Sequence, residues 1–191
     1  FTELKTIIGF NPGTEFRFGD IILKTIHIPG HSPGHTAYII EDKSNQRRKI
    51  LFASDIGIEK YGVWYGFKYC NLKIIRNSIK KIENIYLNND YILTSGHSPT
   101  FFEKQPEIFN EILKKIERNK EKVLNMFDKK KPKGLKDVTL KGFFYNANTI
   151  PEDLRKIYYF WEGYMIINHI QELMEEGKLI EMPNQQWILS N

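Results

Sequence analysis

The stretch Ile28-Pro29-Gly30-His31-Ser32-Pro33-Gly34-His35 decides how this 191-residue chain is read. It lies between two apolar runs, Ile21-Ile22-Leu23-Lys24-Thr25-Ile26-His27 and Thr36-Ala37-Tyr38-Ile39-Ile40, whose β-branched content predicts strands. Two glycines and two prolines between strands force a sharp, irregular loop, in which the backbone approaches a bound group closely. His31 sits at the tip, so the loop is suited to aiming an imidazole.

Working outward, Thr6-Ile7-Ile8 and Glu15-Phe16-Arg17-Phe18 read as strands, the second ended by a Gly19-Asp20 turn. Past a polar turn from Glu41 to Arg48 comes Lys49-Ile50-Leu51-Phe52-Ala53. The runs beside the loop are almost continuously apolar, which predicts a sheet covered on its inner face. The last of them ends in Ser54-Asp55-Ile56-Gly57, placing a carboxylate at a strand's carboxyl end, and a glycine-punctuated aromatic loop follows, Tyr61-Gly62-Val63-Trp64-Tyr65-Gly66-Phe67. From Asn71 to Asn88, Leu72, Ile75, Ile79, Ile82 and Ile85 recur at helical spacing with lysines opposite. Tyr91-Ile92-Leu93-Thr94 then completes a strand-helix-strand pass, and Ser95-Gly96-His97-Ser98-Pro99 comes directly after it.

His31, Asp55 and His97 therefore occupy comparable positions, each in a loop after a strand. In a sheet whose strands share a direction such loops gather along one edge, where ligands bind. Two imidazoles and a carboxylate are ligands that suit zinc, and also ferrous or manganous ions. Taken singly, a surface-loop histidine is more often unliganded and a strand-end aspartate more often a turn cap; the three together carry more weight than any one.

That set resembles a known pattern. Gly30-His31-Ser32-Pro33-Gly34-His35, Phe52-Ala53-Ser54-Asp55 and Ser95-Gly96-His97 resemble the third, fourth and fifth motifs of the metallo-β-lactamase superfamily, in its glyoxalase II-like and lactamase-like hydrolase branches. The likeness runs from about Glu15 to Pro99. It implies an α/β fold, the second half of a four-layer αββα sandwich, and two divalent metal ions, zinc before iron or manganese. It implies that His31 completes a three-histidine site, that Asp55 bridges the metals and is the catalytic carboxylate, that His97 belongs to the second metal, and that His35 orients the loop without binding metal. Tyr61, Trp64 and Tyr65 follow Asp55 closely enough to wall a substrate pocket, or equally to pack the helix onto the sheet.

The superfamily's first motif, His-x-His-x-Asp-His, has no counterpart here: the other histidines are His27, read as a strand residue beside the site, and His169, read as a packed helix residue. The chain thus carries half of a metal site. We expect a natural protein near twice this domain's size, with the missing amino-terminal half of the domain preceding Phe1.

Beyond His97 the pattern is helical from Glu103 to Phe127, with Ile108, Ile112, Ile116 and Val123 inward. The lysine-rich segment 128–136 reads as a linker, which divides the chain into a hydrolase half-domain (1–127) and a tail (137–191). Leu135 to Tyr145 predicts a short helix, Pro151 to Glu176 a long one stopped by Gly177, and Lys178 to Leu189 a hairpin around Pro183-Asn184-Gln185. Helices followed by a terminal hairpin describe a winged-helix-like α+β module. The layout resembles the tail of the lactamase-like branch that includes mitochondrial endoribonucleases. Against a nucleic-acid role, the long helix is aromatic and acidic (Tyr158 to Glu162; Glu172, Glu175, Glu176), which favours packing.

A hydrophobic content of 41% is that of a globular protein, and no run of apolar residues is long enough for a membrane span. One cysteine, Cys70, excludes an internal disulfide and fits a reducing, cytoplasmic compartment; it reads as an ordinary thiol. The net charge of +5 permits an acidic partner without demanding one. A homodimer is compatible with everything above. The expected function is metal-dependent hydrolysis, by a metal-bound hydroxide, of a small ester, thioester or lactone-type substrate. The alternatives are a metal-dependent endoribonuclease and a non-catalytic binding module with a relic site.

Overall fold

A computed structural model describes residues 9–44, 49–58, 62–145 and 147–190. The expected strand at Thr6–Ile8 lies outside them, as does Tyr61. The main sheet is made by β1 (Glu15–Phe18), β2 (Ile21–His27), β3 (Thr36–Asp42), β4 (Lys49–Phe52) and β5 (Tyr91–Thr94), in that spatial order. β1 to β4 are antiparallel neighbours, and β4 pairs with β5 in parallel across α1 (Leu72–Leu87), the predicted strand-helix-strand pass. The strands do not all share a direction, because two short loops reverse the chain on either side of β3. β2, β4 and β5 nevertheless run the same way, so the loops holding His31, Asp55 and His97 leave the sheet along one edge.

Among the described residues, helices cover one face only. α1 buries Leu72, Ile75, Ile79 and Ile82 of the helical stripe expected from the sequence; Tyr86 is buried at its end, where the expected Ile85 is only partly buried. Its first turn is capped by Asn71, whose side chain accepts the Ile74 N–H at 2.9 Å. α2 (Glu107–Leu124) buries Phe109, Ile112 and Ile116 in the same core, with Phe109 taking the inward place expected of Ile108. Opposite them the sheet contributes Ala37, Leu51, Ala53 and Leu93, all fully buried.

Among the described residues the other face has no helix on it. Strand alternation and the register Leu23↔Ile40↔Ile50↔Ile92 and Tyr38↔Phe52↔Thr94 place these side chains together on the uncovered side, all half-buried. One sheet with helices on one face is two layers of the four that the resemblance implies.

The tail forms a second core. β6 (Lys133–Gly134), β7 (Leu179–Met182) and β8 (Gln186–Leu189) make a small sheet in the order β6-β8-β7. Beside it lie α3 (Leu135–Val138) and α4 (Arg155–Glu175), with Val138, Ile166, Ile170, Leu173, Leu179 and Trp187 buried. α2 reaches into this core through Val123. The segment 128–136, read as a linker, is partly drawn into the small sheet by β6, and Lys133 Nζ donates to the Met126 carbonyl at 2.6 Å. The short helix expected from Leu135 to Tyr145 stops after one turn, because Leu140 (φ 58°) and Gly142 (φ 85°) turn the backbone left-handed. α4 starts at Arg155, after a 3-10 turn over Glu152–Leu154 that Pro151 precedes. No helix among the described residues is long and apolar enough to cross a membrane.

Ile79 is 0% exposed, whereas Phe18 is 65% exposed. Ile79→Ala is therefore expected to lower stability by about 2–5 kcal/mol and Phe18→Ala by less than about 0.5 kcal/mol, read from urea unfolding midpoints.

Candidate metal centre

The His31 loop is held from below by α1. Asn71 N–H donates to the Gly30 carbonyl at 3.1 Å, Ser78 Oγ to the Pro29 carbonyl at 2.7 Å and Lys81 Nζ to the His27 carbonyl at 3.0 Å. The loop lies so close to the helix that a Cβ at Gly30 (φ 126°) would stand 2.7 Å from the Ile75 backbone nitrogen. Only glycine satisfies both that contact and that torsion. Gly30 is thus explained by packing on α1.

His31 Nδ1 lies 2.8 Å from the Trp64 carbonyl oxygen, which can only accept, so Nδ1 carries the proton and, in the neutral ring, Nε2 has the lone pair. His35 is fixed in the same way: Nδ1 donates to the Ile28 carbonyl at 3.1 Å, and Nε2 accepts the backbone N–H of Asp55 at 3.1 Å. Burial, with His31 close by, holds the pKa of His35 below the usual imidazole value, and its hydrogen bonds are those of the neutral ring. His35 thereby ties the Asp55 loop to the His31 loop. Cys70 is buried, its Sγ 3.1 Å from the His31 carbonyl oxygen, and burial raises its pKa, as befits an inert thiol.

Asp55 stands between the two imidazoles, with Oδ2 4.0 Å from His31 Nε2 and Oδ1 3.4 Å from His97 Nε2. Glycine at position 96 makes this approach possible, since a Cβ there would come within 2.6 Å of Asp55 Oδ1. The side chains of His31, Asp55 and His97 are 21%, 37% and 69% exposed, so the cluster opens to solvent on the His97 side. In donor chemistry the set fits divalent ions: two imidazoles on either side of a carboxylate. In number it does not. Each carboxylate oxygen faces a different imidazole, and no group of three or more His, Cys, Asp or Glu residues among the described residues is gathered tightly enough to hold a metal ion.

The aromatic loop divides by residue. Trp64 is half-buried and lines a cavity of about 720 Å³ beside His97. Tyr65, expected at the pocket wall, is 1% exposed and turned away: its hydroxyl lies 2.8 Å from His169 Nε2 and accepts from Asn119 Nδ2 at 3.1 Å. The next residue along from the carbonyl that orients His31 is thus anchored to α4 and α2. Sequence reading placed His169 in a packed helix but gave no sign of this bond, which joins positions 104 residues apart. His27 is a β2 residue with Nε2 2.7 Å from the Pro33 carbonyl oxygen.

His169 is 0% exposed, and its Nδ1 has no hydrogen-bond partner; Glu172 Oε2 lies 3.9 Å away. Burial, with the Arg76 guanidinium adding to it, depresses its pKa to about 3. The unfolded chain then binds the proton that the folded one refuses. This contribution is complete above pH ~6.5 and is lost as pH falls from there through about 3. Between pH 6 and 5 we expect unfolding free energy to drop by about 1 kcal/mol more in the wild type than in His169→Gln, measured by urea titration at each pH.

No family model matches the chain, and no characterised protein matches it in sequence. Solved structures do. A metallo-beta-lactamase family protein from Thermus thermophilus superposes with a TM-score of 0.71 at 18% identity, over 97% of this chain and 55% of that one. A beta-lactamase domain protein from Burkholderia ambifaria gives a TM-score of 0.73 at 15% identity, over 98% and 53%. The chain shares the fold of these metallo-beta-lactamase-type structures and spans about half of their length.

Proposed function

We propose that this chain supplies one half of a divalent-metal hydrolase centre whose substrate is a small ester, thioester or lactone. The observation that carries the proposal is Asp55, set between His31 and His97 at 4.0 and 3.4 Å with the His31 lone pair fixed toward it by the Trp64 carbonyl. A metal-ligating imidazole almost always donates its other ring N–H to a carbonyl or carboxylate, and His31 Nδ1 has such a partner in the Trp64 carbonyl. The fold supports a hydrolase in general terms.

The remaining ligands belong, in this reading, to an amino-terminal half of the same domain, seated on the uncovered sheet face of Leu23, Ile40, Ile50, Phe52 and Ile92. That face is continuous, apolar and half-buried, and its edge carries the three site loops. Bound divalent ions, zinc by donor preference, would supply Lewis-acid activation of water and of the scissile carbonyl. His31 and His97 would hold them with Asp55 between. His35 fixes the carboxylate's backbone, and the Trp64 carbonyl keeps the His31 proton on Nδ1.

A small-molecule substrate is favoured over RNA because cations beside α4 that could meet phosphates are already paired with acidic residues of the tail. Arg76 binds Glu172, Lys120 Nζ lies 2.6 Å from Glu176, and Glu162 is fully buried. The tail's long helix is a packing element against α1 and α2, and the site beside it is a cavity.

The test is hydrolysis by the full-length, zinc-loaded protein of an acyl-thioester and, in parallel, of single-stranded RNA. Thioester cleavage is expected, falling by about two orders of magnitude or more in Asp55→Ala while circular dichroism stays unchanged. RNA cleavage alone would transfer the site to the ribonuclease reading, and undiminished activity in Asp55→Ala would remove Asp55 from the chemistry.

A further inference from the structure

The cavity beside His97 has a built wall. Glu162, 0% exposed, accepts backbone N–H groups from Phe144 at 2.9 Å and Tyr145 at 3.2 Å, and a third from Leu140. A buried carboxylate that satisfies three amides pins the 140–145 strap in place. It thereby fixes Phe143, Phe144 and Tyr145 as one side of the cavity. Phe144 stacks edge-on against Tyr65 (centroids 6.0 Å apart) and Tyr145 against Tyr158 (4.8 Å), so the rings are held before any ligand arrives. Trp64 and Met165 complete the apolar lining.

The opposite side is α2, which contributes Lys115, Asn119 and Lys122 at successive turns. Lys122 Nζ lies 5.7 Å from the centre of the Phe143 ring, so a cation sits directly over the aromatic wall. The volume of about 720 Å³ falls within the range of small-molecule sites. An apolar slot with an ammonium group along one side selects an elongated apolar body with an anionic group, and His97, which faces Asp55, also lines it.

We propose that this cavity binds an aryl- or alkyl-carboxylic acid, with its carboxylate met by Lys122 and its apolar chain lying against Phe144, Tyr145 and Trp64; in a substrate, that carboxylate is a second one, distinct from the scissile ester or thioester. The proposal rests on the hydrolase reading for its biological meaning, but the binding itself requires neither metal nor turnover. Glu162 acts as a positioning residue, through the strap.

The experiment is calorimetric titration of the full-length, metal-free protein with 4-phenylbutyrate and with its uncharged counterpart, 4-phenyl-1-butanol. The acid is expected to bind at least tenfold more tightly than the alcohol. Lys122→Met should weaken the acid three- to tenfold and leave the alcohol unchanged, while Phe144→Ala should weaken both. Equal affinity for acid and alcohol, no binding of the acid, or an acid affinity indifferent to Lys122→Met would overturn the proposal. So would displacement of bound 4-phenylbutyrate by an equimolar single-stranded oligouridylate, which would assign the slot to nucleic acid. Because the titration is metal-free, acid binding without hydrolysis would count against the hydrolase reading alone, and hydrolysis without acid binding against the cavity assignment alone.

Discussion

The hydrogen bond from the Asp55 backbone N–H to His35 Nε2 is the constraint on which the site depends. It joins two loops that leave different strands, β2 and β4, and it forms only while His35 is neutral with its proton on Nδ1. Burial favours that neutral form, and the Ile28 carbonyl selects the tautomer. With the loops locked, Asp55 meets His31 on one side and His97 on the other. A loop rich in glycine and proline has no regular hydrogen-bond ladder of its own, so its shape comes from such side-chain bonds and from the α1 contacts beneath it.

Much of this was legible in the sequence, for identifiable reasons. α1 combines a five-position apolar stripe with asparagines at both ends, and Asn71 and Asn88 do stand at its caps. β2, β3 and β5 are bounded by glycine, proline and asparagine punctuation. The three site residues stood out because each follows a strand directly. What stayed hidden is long-range. Nothing local to Glu162 shows that its carboxylate satisfies amides at 140, 144 and 145, or that Tyr65 turns to His169 rather than to the pocket. The expected helix over Leu135–Tyr145 yields to the same cause, since its amides bond to α4 in place of one another. The lysine segment 128–136 carried the composition of a linker, but pairing of β6 with β8 is a tertiary fact that composition does not encode.

The tail is coupled to the site through contacts that a solvent-facing appendage would lack. Tyr65 meets both Asn119 of α2 and His169 of α4, Trp64 stacks edge-on against Trp161 at 5.7 Å, and Arg76 of α1 binds Glu117 and Glu172. These bonds surround the residue whose carbonyl orients His31. The tail's aromatic and acidic residues, unhelpful for lying along phosphates, therefore have a definite role in holding the site loop and walling the cavity beside it.

The uncovered sheet face and the incomplete donor set are two views of one feature. The site loops project from the edge of a sheet whose second face carries Leu23, Ile40, Ile50, Phe52 and Ile92 without a covering layer among the described residues, and the donors gathered there are too few for a metal. Our account holds that one element supplies both the cover and the missing ligands. The most direct test is anomalous diffraction at the zinc edge from crystals of the full-length protein grown with zinc. The account predicts anomalous peaks within about 2.0–2.2 Å of His31 Nε2, of His97 Nε2 and of Asp55, each completed by histidines or carboxylates from a layer packed on Leu23, Ile40 and Ile50. Peaks elsewhere, or none at these three side chains with that face covered, would contradict it.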